Sequence, residues 1–303
     1  MGRKAEAQEE RRARAFAPGH VTGLFAPALD ASDPRARGSI GAGVVLEAGV
    51  HASVRILPAR RRTVDVASEL HVPLPISREV AERLFAHRTG RLSVELRHEL
   101  PVGQGFGMSA AGALATALAV AAVLGLPRSK AIETAHLADL FGGGGLGGVS
   151  AILRGGFEVR ERPGIPPFGR ARHMVFGRPI LLSVVGRPIP SPVLLRDPTF
   201  LGRVRAAAAP ELARLGDRPD AEAFLSASER FTDSVRLPPP RMQKLIPTLR
   251  SSGARVAQAM FGSSFFAVPR SSDSRARLIR RLQRLGLPAI EVHAARTGAR
   301  VVR

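Results

Sequence analysis

Pro101-Val-Gly-Gln-Gly-Phe-Gly-Met-Ser-Ala-Ala-Gly112 is the stretch on which the reading of this chain turns. Glycines at 103, 105 and 107 alternate with side chains, and Ser109 stands where an apolar segment begins. Missing side chains let backbone N–H groups approach an anion closely. Met108–Leu126 carries no charge, and its pattern predicts a helix over about 109–124. The positive end of that helix and its free first-turn N–H groups point at the same place as the loop. The stretch suits either a phosphate cradle or a tight strand-to-helix connection. Two familiar phosphate loops are excluded. A P-loop needs Gly-Lys followed by Ser or Thr, and no Lys stands here; a dinucleotide loop needs a third glycine where Met108 stands.

Upstream, Ser93–Leu100 alternates apolar and polar residues, the pattern of a strand with one buried face. Residues 14–30 read as a short strand and a turn, and 64–72 as a further strand. IGAGVVLEAGVHASVRIL at 40–57 reads as strands broken near Gly49. Ser77 is placed to cap a helix over 78–88. Downstream come a helix over 128–141, the glycine run Gly142–Gly148, a short helical piece near 149–153, and a stretch at 155–168 punctuated by Gly and Pro. From about 178 the character changes. Pro179–Val185 is a buried strand, helical patterns appear at 199–208, 220–234 and 241–250, and Phe265–Val268 is a strand. Ala276–Leu285 is a helix, and Ala289–His293 and Ala299–Val302 are closing strands. The expected class is α+β: an extension over 1–13, one lobe over 14–175 and a second over 176–303.

The composition narrows the classes. Without cysteine there is no disulfide, thiolate metal site or cysteine nucleophile. The net charge of +20 makes nucleic acid the first partner to consider. Yet 42 of the 45 basic residues are Arg, scattered along the whole chain, which is the mark of compositional bias and a solvated surface; no specific nucleic acid is expected. The charged opening MGRKAEAQEERRARAF has no apolar segment of a secretory signal. Met108–Leu126 is long enough on paper to span a membrane. It is rich in Ala, opens on the glycine loop and closes on Gly125-Leu-Pro, so it reads as a central buried helix instead.

Several segments together resemble one family. PVGQGFGMSAAGAL looks like the second motif of the GHMP kinases, whose pattern is Pro-x-x-x-Gly-x-Gly-x-Ser-x-Ala. APGHVTGLF at 17–25 looks like their first motif in the form used by archaeal pantoate kinases, and AMFGSSFFAV at 259–268 is similar to their third. AHLADLFGGGGLGGVSAILRGGFEVRERPG at 135–164 resembles the segment between motifs two and three. The resemblance implies an N-terminal lobe like ribosomal protein S5 domain 2 and a ferredoxin-like C-terminal lobe. It implies transfer of the ATP γ-phosphoryl group to pantoate, giving 4-phosphopantoate for coenzyme A synthesis in the cytoplasm. The ATP contacts it implies are Pro101, Gly103, Gly105, Phe106, Gly107, Met108, Ser109 and Ala110. Ser109 and Asp139 take the catalytic, Mg2+-side positions, although Ser109 also suits a helix cap. Gly19, His20, Thr22, Gly262 and Ser263 fall on the acceptor side, with Arg160 or Arg162 set to neutralise the pantoate carboxylate. A homodimer is compatible with the resemblance.

One departure stands out. Pantoate kinases typically read Thr-Gly-Leu-Gly-Asp-Val where this chain reads Gly144-Gly-Leu-Gly-Gly-Val149, so the expected acid falls on Gly148. Phosphoryl transfer depends more on positioning and charge neutralisation than on a base. A slow kinase is therefore expected, with turnover rising tenfold or more if Asp is restored at 148. The other readings are a kinase of this fold for homoserine, shikimate or a mevalonate derivative, an ATP-binding protein without turnover, and an RNA-binding module.

Overall fold

The computed structural model describes residues 10–216, 219–237 and 239–302. Two long strands, β1 (Arg11–Ala28) and β2 (Gly38–Leu57), form an antiparallel hairpin that is the spine of the first lobe. β3 (Thr63–Ser68), α1 (Pro75–Leu84) and β4 (Arg91–His98) come next, with β3 and β4 parallel across the helix. Then come α2 (Met108–Leu124), α3 (Arg128–Phe141), α4 (Gly148–Ala151) and a second hairpin of β5 (Phe157–Arg162) and β6 (Arg170–Met174). The second lobe carries β7 (Ile180–Val184), α5 (Ser191–Leu195), α6 (Pro198–Leu215), α7 (Ala221–Val235) and α8 (Pro240–Arg250). It continues through β8 (Ala254–Gln258), β9 (Ser264–Pro269), α9 (Ser272–Arg284) and β10 (Ile290–Val292). β11 (Arg300–Val302) then returns to pair with β1.

The first sheet runs β11-β1-β2-β4-β3, with β5 on β2 and β6 on β5. β4 holds Val50–Leu57 of β2 and β5 holds Gly41–Val44, so both lie against the same edge of one long strand, end to end. The glycine loop leaves β4 near the break between them. The second sheet runs β10-β7-β9-β8. One of its faces packs Phe265 and Val256 against Leu245 and Leu249 of α8 and Leu278 and Leu282 of α9. The other face joins the core of the first lobe: Phe224 of α7 stacks on Phe266 of β9 at 6.1 Å between ring centroids and lies 4.8 Å from Phe157 of β5. The lobes thus share one apolar core, which fixes the groove between them.

α2 is buried on nearly every side and runs between two left-handed glycines, Gly107 and Gly125. Its small residues let β1, β2, α1 and α3 close around it. Among the described residues no helix is long and apolar enough to cross a membrane.

Several expectations from the sequence need correction. Arg11–Ala13 are not part of an extension; they pair with Val54–Ile56, and only residues 1–9 of that segment lie outside the described residues. Residues 14–28 make no turn but belong to the 18-residue β1, and only Leu29 and Asp30 lie beyond it. Gly49 does not break β2. It faces a bulge at Pro18/Gly19, where a Cβ would overlap the Ala17 carbonyl. Ser77 caps nothing: α1 starts at Pro75, whose ring suits a first helical turn, and Ser77 is buried within it. The stretch at 155–168 holds β5, which the Gly and Pro on either side mask in the sequence. β6 and β8 carry no local signal strong enough to predict them. Finally, β11 belongs to the first lobe's sheet, so the second lobe does not run to the C-terminus.

Candidate active site

Gly103, Gly105 and Gly107 have φ of +75°, +74° and +73°. Three left-handed residues at every second position turn the intervening backbone into a concave edge of N–H groups. A Cβ at Gly105 would stand 2.7 Å from the Ala259 carbonyl oxygen, and one at Gly107 2.8 Å from the His20 nitrogen. The side chains between the glycines anchor the loop. Gln104 donates to the Gly186 carbonyl at 2.9 Å, Phe106 is buried in the core, and the Phe106 carbonyl accepts from the His20 N–H at 3.0 Å.

α2 begins directly after the loop with Gly107 as its N-cap and no side-chain cap. The first-turn N–H groups therefore have no partner within the helix. Ser109 does not cap; its hydroxyl donates to Asp139 Oδ1 at 3.1 Å. Asp139, on α3, is buried, and burial lifts its carboxyl to about 6 against the opposing pull of the Ser109 hydrogen bond. Glycine makes this meeting possible. A Cβ at Gly144 would overlap Asp139 Oδ1 and lie 2.6 Å from Ile76 Cδ1, and one at Gly145 would be 3.2 Å from Oδ2. The run Gly142–Gly148, in which Leu146 carries the one side chain, is thus a low wall beside one carboxylate.

Opposite, β1 presents His20 and Thr22 on one face. Thr22 Oγ1 lies 3.2 Å from His20 Nδ1, and His20 Nε2 lies 2.9 Å from Glu158 Oε1. Glu158 also pairs with Arg160, and His20, Glu158 and Arg160 are all buried. Burial lowers the pKa of His20, with Glu158 opposing. The register explains the cluster. Thr22 pairs with Gly43, which pairs with Glu158, so a glycine lies between the two polar strands. A Cβ at Gly43 would overlap the His20 ring, and one at Gly41 would stand 2.9 Å from Arg160 Nη2. Arg160 Nε and Glu158 Oε2 have no hydrogen-bond partner among the described residues.

These two sides face one cleft. Of the residues singled out from sequence, His20, Thr22, Gly103, Gly105, Phe106, Gly107, Met108, Ser109, Ala110, Asp139 and Arg160 line it. Pro101 does not, and is exposed. Gly19 and Gly262 back the glycine loop: a Cβ at Gly19 would be 2.9 Å from the Phe106 carbonyl, and one at Gly262 would overlap Gln104. Ser263 accepts the Val185 N–H at 2.8 Å through its carbonyl, while Met260 and Phe261 reach the cleft in its place. Arg162 lines a neighbouring cavity with Arg154 and Arg170. Glu158 is the residue that sequence reasoning misses. Its signal is the pair Gly41 and Gly43 inside a strand that carries Ile40, Val44 and Val45 around them, since strand glycines mark close approach.

The family model of the GHMP kinases N terminal domain matches residues 76–156, and that of the GHMP kinases C terminal matches residues 208–286. Over 277 residues the chain is 31% identical to a pantoate kinase of Thermococcus kodakarensis, covering 86% of this chain and 89% of that one. The chain belongs to the pantoate kinase family of the GHMP kinases. A pantoate kinase of Methanospirillum hungatei is 28% identical over 274 residues, covering 87% of this chain and 89% of that one. Among solved structures, a phosphotransferase related to the CoA biosynthesis pathway superposes with a TM-score of 0.86 at 29% identity, covering 96% of this chain and 99% of its own. A mevalonate-3-kinase of Thermoplasma acidophilum shares the fold, with a TM-score of 0.67 at 16% identity and coverage of 97% and 99%. The chain is accordingly an ATP-dependent small-molecule kinase built on the α+β GHMP fold.

Proposed function

We propose that this kinase transfers the γ-phosphoryl group of ATP to the primary hydroxyl of pantoate, giving 4-phosphopantoate as a precursor of coenzyme A in the cytoplasm. The observation that carries the reading is the cleft itself. A glycine cradle and an uncapped helix start face a buried Arg160 whose Nε lacks a partner among the described residues, so the two ends of the cleft suit a phosphate chain and a carboxylate. Pantoate carries its carboxylate and its primary hydroxyl at opposite ends of a short chain.

In this reading the N–H edge of residues 103–110 holds the triphosphate. The glycines admit it closely, and the helix end stabilises its charge without reorganising. Asp139 and Ser109 fit a magnesium ion. Asp139 is a buried carboxylate with Ser109 as its one side-chain partner among the described residues, and its raised pKa marks the absence of a compensating positive charge. Among the described residues no cluster of three or more His, Cys, Asp or Glu could hold a metal alone, which agrees with an ion bound through one carboxylate and phosphate oxygens. Magnesium, when bound, neutralises charge on the transferring phosphates. Arg160 binds the pantoate carboxylate through a guanidinium already held in place by Glu158. The walls at Met260, Phe261 and Phe25 keep water from the transferring group.

A coupled ADP-release assay over a panel of hydroxy acids tests the reading. Turnover is expected with (R)-pantoate and not with homoserine, shikimate or mevalonate. Preference for one of the others would replace pantoate as the acceptor.

A further inference from the structure

We propose that Thr22, His20 and Glu158 form a proton relay that receives the proton of the acceptor hydroxyl during phosphoryl transfer. This rests on the reading of the cleft as a hydroxyl-phosphorylating site. It answers a question raised by Gly148: where the proton goes when the residue there has no side chain. Among the described residues the only carboxylate lining the cleft is Asp139, and it is engaged with Ser109 on the phosphate side.

The three residues fix one another's hydrogen-bond direction. The Glu158 carboxylate accepts from Arg160 and can only accept from His20, so His20 Nε2 donates to it at 2.9 Å. A neutral imidazole has one N–H, which leaves Nδ1 as an acceptor. Thr22 must then donate its hydroxyl proton to Nδ1 across 3.2 Å. Thr22 lines the cleft, and a hydroxyl that donates its proton to Nδ1 keeps its oxygen lone pairs for an incoming donor. A group in that state accepts a hydrogen bond from an incoming hydroxyl, and its proton has a path inward. The arrangement is that of a hydroxyl, a histidine and an orienting acid. It depends on Gly43, because any side chain there would occupy the place of the His20 ring. Burial keeps His20 neutral and able to accept.

In the transfer step the acceptor oxygen forms its bond to the γ-phosphorus as the bond from that phosphorus to the ADP oxygen breaks, and ADP leaves with the electron pair. The acceptor's proton passes to Thr22 Oγ1 while the Thr22 proton passes to His20 Nδ1. The imidazolium so formed lies against the Glu158 carboxylate and returns its proton through Thr22 once product leaves. The charged and titratable groups facing His20 are Glu158 and Arg160 from β5 and His173 from β6. Thr22 is the catalytic residue here; His20 and Glu158 act through it.

The test is single-turnover phosphoryl transfer to pantoate, measured against pH, for the wild type, Thr22→Val, Thr22→Ala, Thr22→Ser and Glu158→Gln. General-base assistance is worth about 10²–10⁴-fold. Thr22→Val is expected to slow transfer by about 10²-fold or more at unchanged ATP affinity, and Thr22→Ser to recover most of the rate. Thr22→Ala adds no bulk and must show the same loss, which covers a folding failure of the Val variant. The wild-type rate is expected to fall with acidity as His20 protonates. That limb moves to lower pH in Glu158→Gln and disappears in the Val and Ala variants. A limb set by Asp139 would persist in them. The relay is overturned if the wild type phosphorylates pantoate and Thr22→Ala does so within about threefold, or keeps the wild-type acidic limb. A wild type that phosphorylates no pantoate at all overturns the acceptor reading, and the relay falls with it.

Discussion

Gly148 can be tested by the smallest possible change. A Cβ there would stand 2.6 Å from the Ala110 Cβ. Carbon atoms in contact prefer about 3.5–4.0 Å, so α4 or the first turn of α2 must move by about 1 Å. Ala110 lies in that first turn, whose N–H groups form part of the proposed phosphate cradle. Overpacking of this kind costs about 1–3 kcal/mol. If the whole cost falls on the nucleotide-bound state, Gly148→Ala weakens ATP binding by about 5–150-fold, at 1.4 kcal/mol per decade. Calorimetric titration with ATP, beside kcat/KM and Tm, measures the effect. The clash is between two methyl groups, so Ala110→Gly in the same chain is expected to restore most of the affinity, less up to about 1 kcal/mol of helix propensity. Gly148→Asp brings the same Cβ, 3.8 Å from Asp139 Oδ2. It would also place a second carboxylate near the first, which raises the pKa of one of them. The gain of tenfold or more expected from the sequence alone is therefore replaced by a loss. A Gly148→Ala protein that binds ATP as tightly as the wild type, or one that Ala110→Gly fails to rescue, refutes the reasoning.

Asp139→Asn is expected to slow transfer far more than it weakens ATP binding, and to flatten the magnesium dependence; overlapping metal titrations of the two proteins would remove Asp139 from the metal side. The same variant has a stability signature in the metal-free protein. The folded carboxyl, at about 6, holds its proton more tightly than in the unfolded chain, so the stability that Asp139 contributes is fully present below about pH 4 and is lost as pH rises through about 6. A shift of about two units corresponds to about 3 kcal/mol, and denaturant titrations of Asp139→Asn should lack that decline. Gly105→Val forces a β-branched residue into a left-handed position and against the Ala259 carbonyl, and is expected to abolish measurable ATP binding in a protein whose circular dichroism is retained. Arg160→Met is expected to raise the KM for pantoate by about 10²-fold with the KM for ATP within about twofold, because it removes the charge-assisted contact proposed for the acceptor alone; equal effects on both would place Arg160 in a structural role.

The glycine cradle is legible in the sequence because it needs nothing beyond local pattern: three glycines in alternate positions and a helix after them. α3 and α7 can be read to within a residue, since each carries its own helical periodicity and starts from a Pro or Asp N-cap. The long hairpin is harder. Gly49 and the Pro18-Gly19 pair look like stops, and only the partner strand shows that they form a bulge in continuous pairing. β11 is three exposed residues, and nothing local tells that it crosses back to β1. The site divides the same way. Ser109 and Asp139 can be named, but their contact 30 positions apart depends on Gly144 standing aside. Glu158 cannot be found, because a buried acid facing a histidine 138 positions away is visible only once β1, β2 and β5 lie in register.

The central claim is that ATP is used to phosphorylate the primary hydroxyl of pantoate, and the identity of the product tests it most directly. Wild-type protein, magnesium ATP and (R)-pantoate are incubated to completion, and the phosphorus NMR spectrum of the product is recorded with coupling to protons. The expected result is one new phosphomonoester signal, equimolar with ADP and coupled to a single methylene pair. An acyl phosphate, inorganic phosphate as the only new signal, or ADP formation that does not depend on pantoate would contradict it.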